Sequence, residues 1–325
     1  MIMSKFNAKF LGSVSIVILL LSIVSMAQDK PNSRVIFNKQ NKPMNVAERN
    51  NVYCAGYIQT SPINTNFKVV GADDEADQFI YAQGDYLYVN QGAANGAKVG
   101  DVFSVVRPRG QVKSKLSKKG KLGFYVQEVG AVEIVRVREK VSLAKVKTSC
   151  DNFLLGDLLQ PMETRVAPMY SDRPALDMFA EANGKTVGKI VMARDSRESL
   201  SREQIVYIDL GAEDSVRVGD YLTVFRPLGK KISGAPQDET MKTKDYEYGS
   251  EAFQGGPFSN SAPRKEGGTA EGNTVTTSKA KASRPAGLRK VVGEMVILSV
   301  KERTATAMIT RNKQEIHTGD WVEVQ

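Results

Sequence analysis

The sequence predicts an all-β protein made of two tandem small β-barrels, each split by an insert. Three observations support this. A segment of 25 residues recurs once without a gap, and a second pair of matching segments follows in the same order. Short runs of β-branched and aromatic residues also alternate with Gly, Pro, Asn and Asp. Short strands at regular spacing with turn signals indicate a small barrel or sandwich.

The first repeat pairs residues 86–110 with residues 205–229, and ten of the 25 positions are identical. Both segments contain Val-Gly-Asp and end near Arg-Pro. The second repeat pairs residues 129–157 with residues 292–320, and both segments end in Gly-Asp. Repetition of this length indicates a duplicated structural unit with a front half and a back half.

The connection between the halves differs between the copies. Copy one has a short basic connection, Gln111 to Leu122, and copy two has a long one, Lys230 to Gly287. The long connection is rich in Gly, Ser, Thr, Pro and Lys and nearly lacks aliphatic residues. This composition predicts a disordered loop inside the second module, because such a segment cannot bury enough apolar surface to offset its ordering entropy.

These patterns predict five consecutive regions. They are a signal peptide at 1–27, an N-terminal extension at 28–65, a first β-barrel module at 66–161, a linker at 162–183 and a second module at 184–325 with the disordered insert 230–287. The Asn-rich part of the extension, residues 28–51, is expected to be loose and to reach a partner. Helical periodicity is weak, and single turns are expected at 74–79 and 197–204.

The N-terminus predicts export. Lys5 and Lys9 precede an apolar run from Leu11 to Val24, and Ser25-Met26-Ala27 supplies small residues for cleavage after Ala27. The alternative is an uncleaved anchor, although the run is shorter than the roughly 20 residues that a spanning helix needs. We therefore expect a periplasmic or envelope-associated protein with no membrane span after cleavage.

The chain is basic, with a formal net charge of +9, of which the signal peptide carries two charges. This charge favours anionic partners such as cell-wall polymers, lipid headgroups or acidic polysaccharide. The expected partner is an envelope protein or an anionic cell-wall polymer. The alternative is that the scattered charge only confers solubility. Nucleic acid is excluded as a partner by the export signal and by the lack of aromatics interleaved with the basic residues.

Cys54 and Cys150 are the two cysteines. In an oxidising compartment they are expected to form one disulfide, whose long loop is worth on the order of 4–5 kcal/mol in closure entropy. Two buried free thiols are the alternative.

Four Gly-Asp pairs each precede a predicted strand. Gly permits positive φ, and Asp can bond the backbone two residues on, so the pairs are expected to form turns. The alternative is that the aspartates form a metal or catalytic set. Together with two glycines that end strands, the expected structural turn residues are Gly92, Gly100, Asp101, Gly156, Asp157, Gly211, Gly219, Asp220, Gly319 and Asp320.

Arg107 and Arg226 each precede a proline that is expected to stop strand pairing. Two roles are open for these arginines. The guanidinium either caps the barrel through a carboxylate or contacts an anionic ligand.

The sequence offers no recognisable catalytic apparatus. His317 is the single histidine, and phosphate loops, dinucleotide fingerprints and paired-Cys metal spacings are missing. The acidic residues at positions 73, 74, 75 and 77 lack the ligand spacing of a calcium loop, so a solvated turn is expected. We predict no enzyme activity and no cofactor or metal.

The repeated pattern runs from a strand and Gly through a short loop ending in Val-Gly-Asp to a Val-Gly-containing strand and a final Gly-Asp strand. It resembles the C-terminal domain of the flagellar assembly protein T family over most of residues 66–161 and 184–325. The resemblance implies a barrel of the Src-homology-3 type in an exported envelope or flagellar-ring protein. This chain departs from the family by carrying two copies.

The favoured function is therefore a non-enzymatic envelope protein that provides interaction or structural surfaces. The alternative is a protein that binds peptidoglycan or polysaccharide. That alternative predicts exposed aromatic side chains along one groove, whereas core packing is their competing role. The candidates are Tyr86, Tyr88, Phe103, Tyr207, Tyr221 and Phe225.

Overall fold

The computed structural model describes residues 45, 47, 52–195, 197, 199–228 and 283–325. The predicted signal peptide, nearly all of the predicted loose segment at 28–51, and residues 230–282 of the predicted insert lie outside the described residues. In the described part, fifteen strands and two 3-10 turns make the protein all-β, as the sequence predicts. No helix in this part is long and apolar enough to cross a membrane.

The first seven strands form one antiparallel sheet. They are β1 (Tyr57–Gln59), β2 (Val69–Ala72), β3 (Tyr86–Val89), β4 (Val102–Lys113), β5 (Lys121–Val137), β6 (Ser142–Ser149) and β7 (Leu158–Pro161). The order is β2-β3-β6-β5-β4-β7, and β1 pairs with β5 off this path. A bridge between Lys68 and Leu158, with a backbone hydrogen bond of 2.8 Å from Val69 to Asp157, also links the two ends of the sheet.

The second group of strands contains a closed six-stranded barrel in the order β10-β13-β12-β11-β15-β8. The bounds are β8 (Val187–Ala193), β9 (Ser199–Leu200), β10 (Ile205–Ile208), β11 (Tyr221–Pro227), β12 (Arg289–Val300), β13 (Ala305–Asn312), β14 (Ile316–His317) and β15 (Trp321–Val324). The short strands β9 and β14 pair with each other outside the barrel. The prediction of a β-barrel is therefore confirmed.

Strand periodicity explains which side chains enter each core. In β6, Ala144 and Val146 are buried, whereas the intervening Lys145 and Lys147 are exposed. Strand β10 is instead buried on both faces. Val206 and Ile208 lie in the barrel core, and Ile205 and Tyr207 belong to a separate apolar cluster. Because β10 is buried on both faces, another segment of the chain must pack on the outer surface of the barrel.

The covering element is the C-terminal end of the predicted N-terminal extension. Val52, Ala55 and Ile58 pack with Tyr207 and Leu298 of the barrel in a shared apolar cluster. The segment from 52 to 59 includes β1, which pairs along its length with β5 of the first sheet. The extension is thus not separate from the modules over these residues, because it lies between the first sheet and the barrel.

Hydroxyl groups of the barrel reinforce this packing. The Tyr207 hydroxyl donates to the Ala55 carbonyl oxygen at 2.6 Å. Thr304 donates to the Ile58 carbonyl at 2.7 Å, and Thr306 donates to the Gly56 carbonyl at 3.0 Å. These bonds satisfy backbone carbonyls that would otherwise be buried without a donor, which is costly.

The predicted end of a strand at Arg107-Pro108 is wrong. Strand β4 continues to Lys113, and Pro108 stands opposite Val126 in the ladder, with a register shift before Gly110. The bulge lets the strand pass the proline and continue to pair with β5 beyond it, in a shifted register. In copy two the prediction is correct, because β11 ends at Pro227.

The predicted connection from Gln111 to Leu122 is consequently the tip of a long β4–β5 hairpin. At the first predicted helical turn, the amides of Asp77 and Gln78 both donate to the Asp74 carbonyl, which gives a single turn. At residues 197–204 the structure has strand β9 instead of a turn of helix.

Candidate functional site

The four repeated Gly-Asp pairs form one turn geometry used four times. Each glycine has positive φ, between 91° and 95°, and donates its amide to a neighbouring strand. Each aspartate accepts the amide of the residue three positions earlier at 2.8 Å, whereas the sequence predicted a bond two residues on. The pairs are Gly100-Asp101, Gly156-Asp157, Gly219-Asp220 and Gly319-Asp320.

The second Gly-Asp pair of each copy also binds an arginine. Arg107 reaches Asp157 with two bonds of 2.7 and 2.8 Å, and Arg226 reaches Asp320 with two bonds of 2.6 and 2.7 Å. Both carboxylates are buried. Paired bonds between a guanidinium and a carboxylate are strong and directional. Each arginine therefore ties its strand to the turn before the last strand of its copy, and contact with an external anion remains a prediction.

Gly92 and Gly211 have an extended backbone that any residue can adopt, so their conformation does not require glycine. Steric space does. A Cβ atom on Gly92 would lie 2.4 Å from the Glu139 carbonyl oxygen, and one on Gly211 would lie 2.4 Å from that of Glu302. The strand ends at these positions therefore exclude any side chain.

The predicted disulfide between Cys54 and Cys150 is confirmed, with 5.5 Å between the Cα atoms. Cys54 lies three residues before the start of β1, and Cys150 directly follows the end of β6. The bond therefore fixes to the first sheet the same segment on which the barrel packs.

A cleft with a volume of about 830 Å³ opens beside this disulfide. Both cysteines line it, together with Tyr125 and several polar side chains from the first sheet and from the end of β8. The polar lining residues are Arg109, Gln127, Asp151, Arg194 and Asp195. Arg109 donates to Gln127 at 2.6 Å, and Gln127 donates to Asp151 at 2.6 Å. This arrangement offers charges of both signs and amide groups to a polar ligand.

Glu128 lies buried on one side of the cleft and accepts hydrogen bonds from Arg165 at 2.7 Å and from the Gly56 amide at 2.9 Å. Burial raises the pKa of Glu128, and Arg165 and the Gly56 amide counteract part of that rise. Burial and the nearby Glu128 raise the pKa of Tyr57 to about 12. These groups join β1, β5 and the linker.

Sequence reasoning missed Glu128 and Arg165. One signal was available, because the position that aligns with Glu128 in copy two is Val291, which is buried. A carboxylate in a strand where the other copy has an apolar residue indicates a contact specific to one copy.

The six aromatic candidates are distributed among several environments. Tyr207 is fully buried between the barrel and β1, and Phe225 is buried and stacked on Trp321 at 6.3 Å between ring centroids. Phe103 packs against the core of the first sheet, and Tyr221 packs against the shared cluster. Tyr86 is partly exposed, with Lys145 over its ring. Core packing thus accounts for most of this set, and Tyr88 is partly buried.

In the described part of the chain, no group of three His, Cys, Asp or Glu side chains is placed to hold a metal ion. His317 lies in β14, beside Glu315 at 3.5 Å. Comparison with models of known protein families and with curated proteins gave no match for this chain.

Proposed function

We propose that this chain is an exported cell-envelope protein that presents interaction surfaces and does not act as an enzyme. One observation carries the proposal. The repeated aspartates and arginines are engaged in the protein's own turns and ion pairs, as the Arg107–Asp157 and Arg226–Asp320 pairs illustrate. The duplicated residues therefore maintain the fold, and function falls to the surfaces that differ between the copies.

Two tandem barrels of the Src-homology-3 type are part of this proposal. If β2 is the counterpart of β8 and β7 is the counterpart of β15, the strands of the first sheet follow the same order as the strands around the closed barrel. The hydrogen bonds between Val69 and Asp157 and between Gly156 and Val69 support closure of the first copy. The resemblance to the C-terminal domain of the flagellar assembly protein T family points to the same fold and to an envelope setting.

Location in the periplasm or envelope rests on the N-terminal pattern and on the disulfide. A disulfide across 96 positions, packed against the joint between the copies, suits an oxidising compartment. The partner is an envelope protein or an anionic cell-wall polymer, and the basic charge favours the anionic polymer.

A second candidate, peptidoglycan or polysaccharide binding, is favoured by the cleft beside the disulfide. Its size falls within the range of ligand pockets, and Arg109 and Arg194 line it. Arginine suits the carboxylates of cell-wall polymers.

One experiment tests export and separates the two candidates. The full chain is expressed in a bacterium, and the mass of the periplasmic protein is measured. We expect an N-terminus at Gln28, and retention of the intact N-terminus would contradict the predicted cleavage. The exported protein is then sedimented with insoluble peptidoglycan at low and high salt.

For the favoured function, we expect no retention or retention that moderate salt removes, because salt screens charge attraction. Retention at high salt that an Arg109→Ala/Arg194→Ala variant loses would establish the second candidate instead. The control variant Arg202→Ala/Lys313→Ala removes the same charge from exposed positions outside the cleft.

A further inference from the structure

An exposed apolar patch lies on the first copy, beside its last Gly-Asp turn. It consists of Val70, Phe79, Ile80, Leu154 and Leu155, which we call the end patch. Phe79 is 82% exposed, and each of the other four is more than 40% exposed.

The backbone shows that the members of the end patch are neighbours. Tyr81 bridges Phe153, which places Ile80 and Leu154 on adjoining backbone segments. The Gly156 amide donates to the Val69 carbonyl at 2.8 Å, which brings Leu155 beside Val70. Exposed apolar residues that scatter singly are ordinary, whereas a contiguous group indicates an interaction site.

An acidic turn flanks the end patch between Val70 and Phe79. It contains Asp73, Asp74, Glu75 and Asp77, and all four are exposed. None of the four forms an ion pair with a residue in the part of the chain that the structure describes. In a protein with a net charge of +9, this turn is a local concentration of negative charge.

The second copy has polar side chains at the corresponding positions. In the gap-free repeat, Leu154 aligns with His317 and Leu155 aligns with Thr318. The Tyr81–Phe153 bridge corresponds to the pairing of Leu200 with Ile316, so the counterpart of Ile80 is Ser199. The fold therefore does not require apolar residues at these positions, and their presence in copy one needs another explanation.

We propose that the end patch docks a segment of another envelope protein in which lysine or arginine side chains stand beside apolar ones. This inference deepens the proposed interaction function and rests on it. Apolar side chains of the partner cover the patch, and its basic side chains pair with the acidic turn. The same turn repels an anionic membrane surface, and the net positive charge of the chain opposes its association with a second copy.

The test uses phage-displayed random short peptides as the probe and the full exported chain as the target. Peptides selected on the wild-type protein are counter-selected on Ile80→Ser/Leu154→His/Leu155→Thr, which places the residues of copy two in copy one. Because the same turn of copy two already carries these residues, the variant is expected to fold. Its thermal unfolding and its disulfide are checked first, and Leu155→Thr alone replaces it if the triple variant is unfolded.

We expect the enriched peptides to combine basic and apolar residues and to bind the triple variant at least about tenfold more weakly, as for a lost anchor cluster. Asp74→Asn/Asp77→Asn is expected to weaken binding several-fold and to reduce its salt dependence. The control Phe179→Ser removes an exposed aromatic in the linker and should leave binding unchanged.

Three outcomes would overturn the inference. They are peptides without basic residues, peptides that bind the triple variant as well as the wild type, and self-association through the patch seen by sedimentation. Peptides that bind the protein outside the end patch would overturn this inference but would still be consistent with the proposed interaction function. That function fails on other grounds, namely salt-resistant retention on peptidoglycan or absence of export.

Discussion

The two copies use the same turns but differ in the length of the insert between their halves. In copy one the insert is the tip of the β4–β5 hairpin, and it reaches the second copy. Lys119 lies 2.6 Å from Glu213 and 2.5 Å from Asp214, and Arg303 donates to the Lys121 carbonyl. Most of the equivalent insert in copy two lies outside the described residues. Copy one thus shows that an insertion between the halves can serve the contact between copies without disturbing the shared turns.

Their buried carboxylates differ as well. Glu294 of the barrel accepts bonds from Arg311 and from Arg173 of the linker, whereas the aligned residue of copy one is Ala131. Glu128 of the first sheet has Val291 as its counterpart. The buried charged groups that occur in one copy only thus lie where the linker or the segment around β1 packs on that copy. The repeated residues stabilise each copy, and these unrepeated residues hold the connecting segments against it.

The largest effect is expected from the repeated ion pairs. Asp157→Ala or Asp320→Ala should destabilise the protein by about 3 kcal/mol, because each leaves a partly buried arginine without its carboxylate. Asp101→Ala or Asp220→Ala should cost only about 1 kcal/mol, because each removes one bond to a turn amide. Urea unfolding monitored by circular dichroism measures the loss of unfolding free energy for each variant.

The fluorescence of Trp321, the single tryptophan, reports on the barrel and separates the two copies. Asp320→Ala is expected to move this signal more than Asp157→Ala does. Equal costs for all four aspartates would contradict the distinction between the two kinds of Gly-Asp turn.

The sequence predicted the all-β class and the strands around the repeats because these follow from local patterns. It predicted the disulfide because the chain has two cysteines and an export signal. Alternation in β6 and the Gly-Asp spacing needed no knowledge of distant residues. The sequence did not predict that residues 52–59 join the sheet. Their position depends on packing against the outer face of the barrel, around Tyr207, which lies more than 140 residues later in the chain. The continuous apolar run of β10 is typical of a strand that is buried on both faces, but it does not indicate which element covers the outer face.

The cleft and Glu128 escaped prediction for the same reason. Their residues come from the segment before β1, from β4, β5 and β8, and from the linker, and no spacing in the sequence brings these together. The strand end predicted at Pro108 was wrong because a proline beside a bulge leaves the neighbouring pairs of the ladder in place.

An intermediate effect is expected from two of the unrepeated carboxylates, Glu294 and Glu128, which should respond to pH with opposite signs. Burial alone would raise the pKa of Glu294, but bonds from Arg311 and Gln325 and the charge of Arg173 lower it below the usual 4.5. The stability that Glu294 contributes is therefore present above pH 4.5 and is lost as the pH falls through its lower folded-state pKa. Glu294→Gln should cost about 1–2 kcal/mol at neutral pH and lessen the loss of stability in acid.

Glu128 provides the comparison, because its pKa is raised above 4.5. Its contribution is present below pH 4.5 and declines as the pH rises through the folded-state pKa, so Glu128→Gln should remove that decline. Unfolding midpoints measured from acid to neutral pH test both variants. Parallel pH profiles for the two would show that the linker and β1 do not impose different environments on these carboxylates.

The smallest effect is expected at the hairpin tip. Lys119→Ala should destabilise the protein by about 0.5–1 kcal/mol, since the ion pairs with Glu213 and Asp214 are partly exposed and screened by salt. The matched control is Lys118→Ala, which removes an exposed lysine one residue earlier and should be neutral. Hydrogen exchange of the amides from 114 to 121 should accelerate in the first variant only. Unchanged exchange there would mean that Leu122 and Val112, which pack in the shared apolar cluster, hold the hairpin against the second copy without the charges.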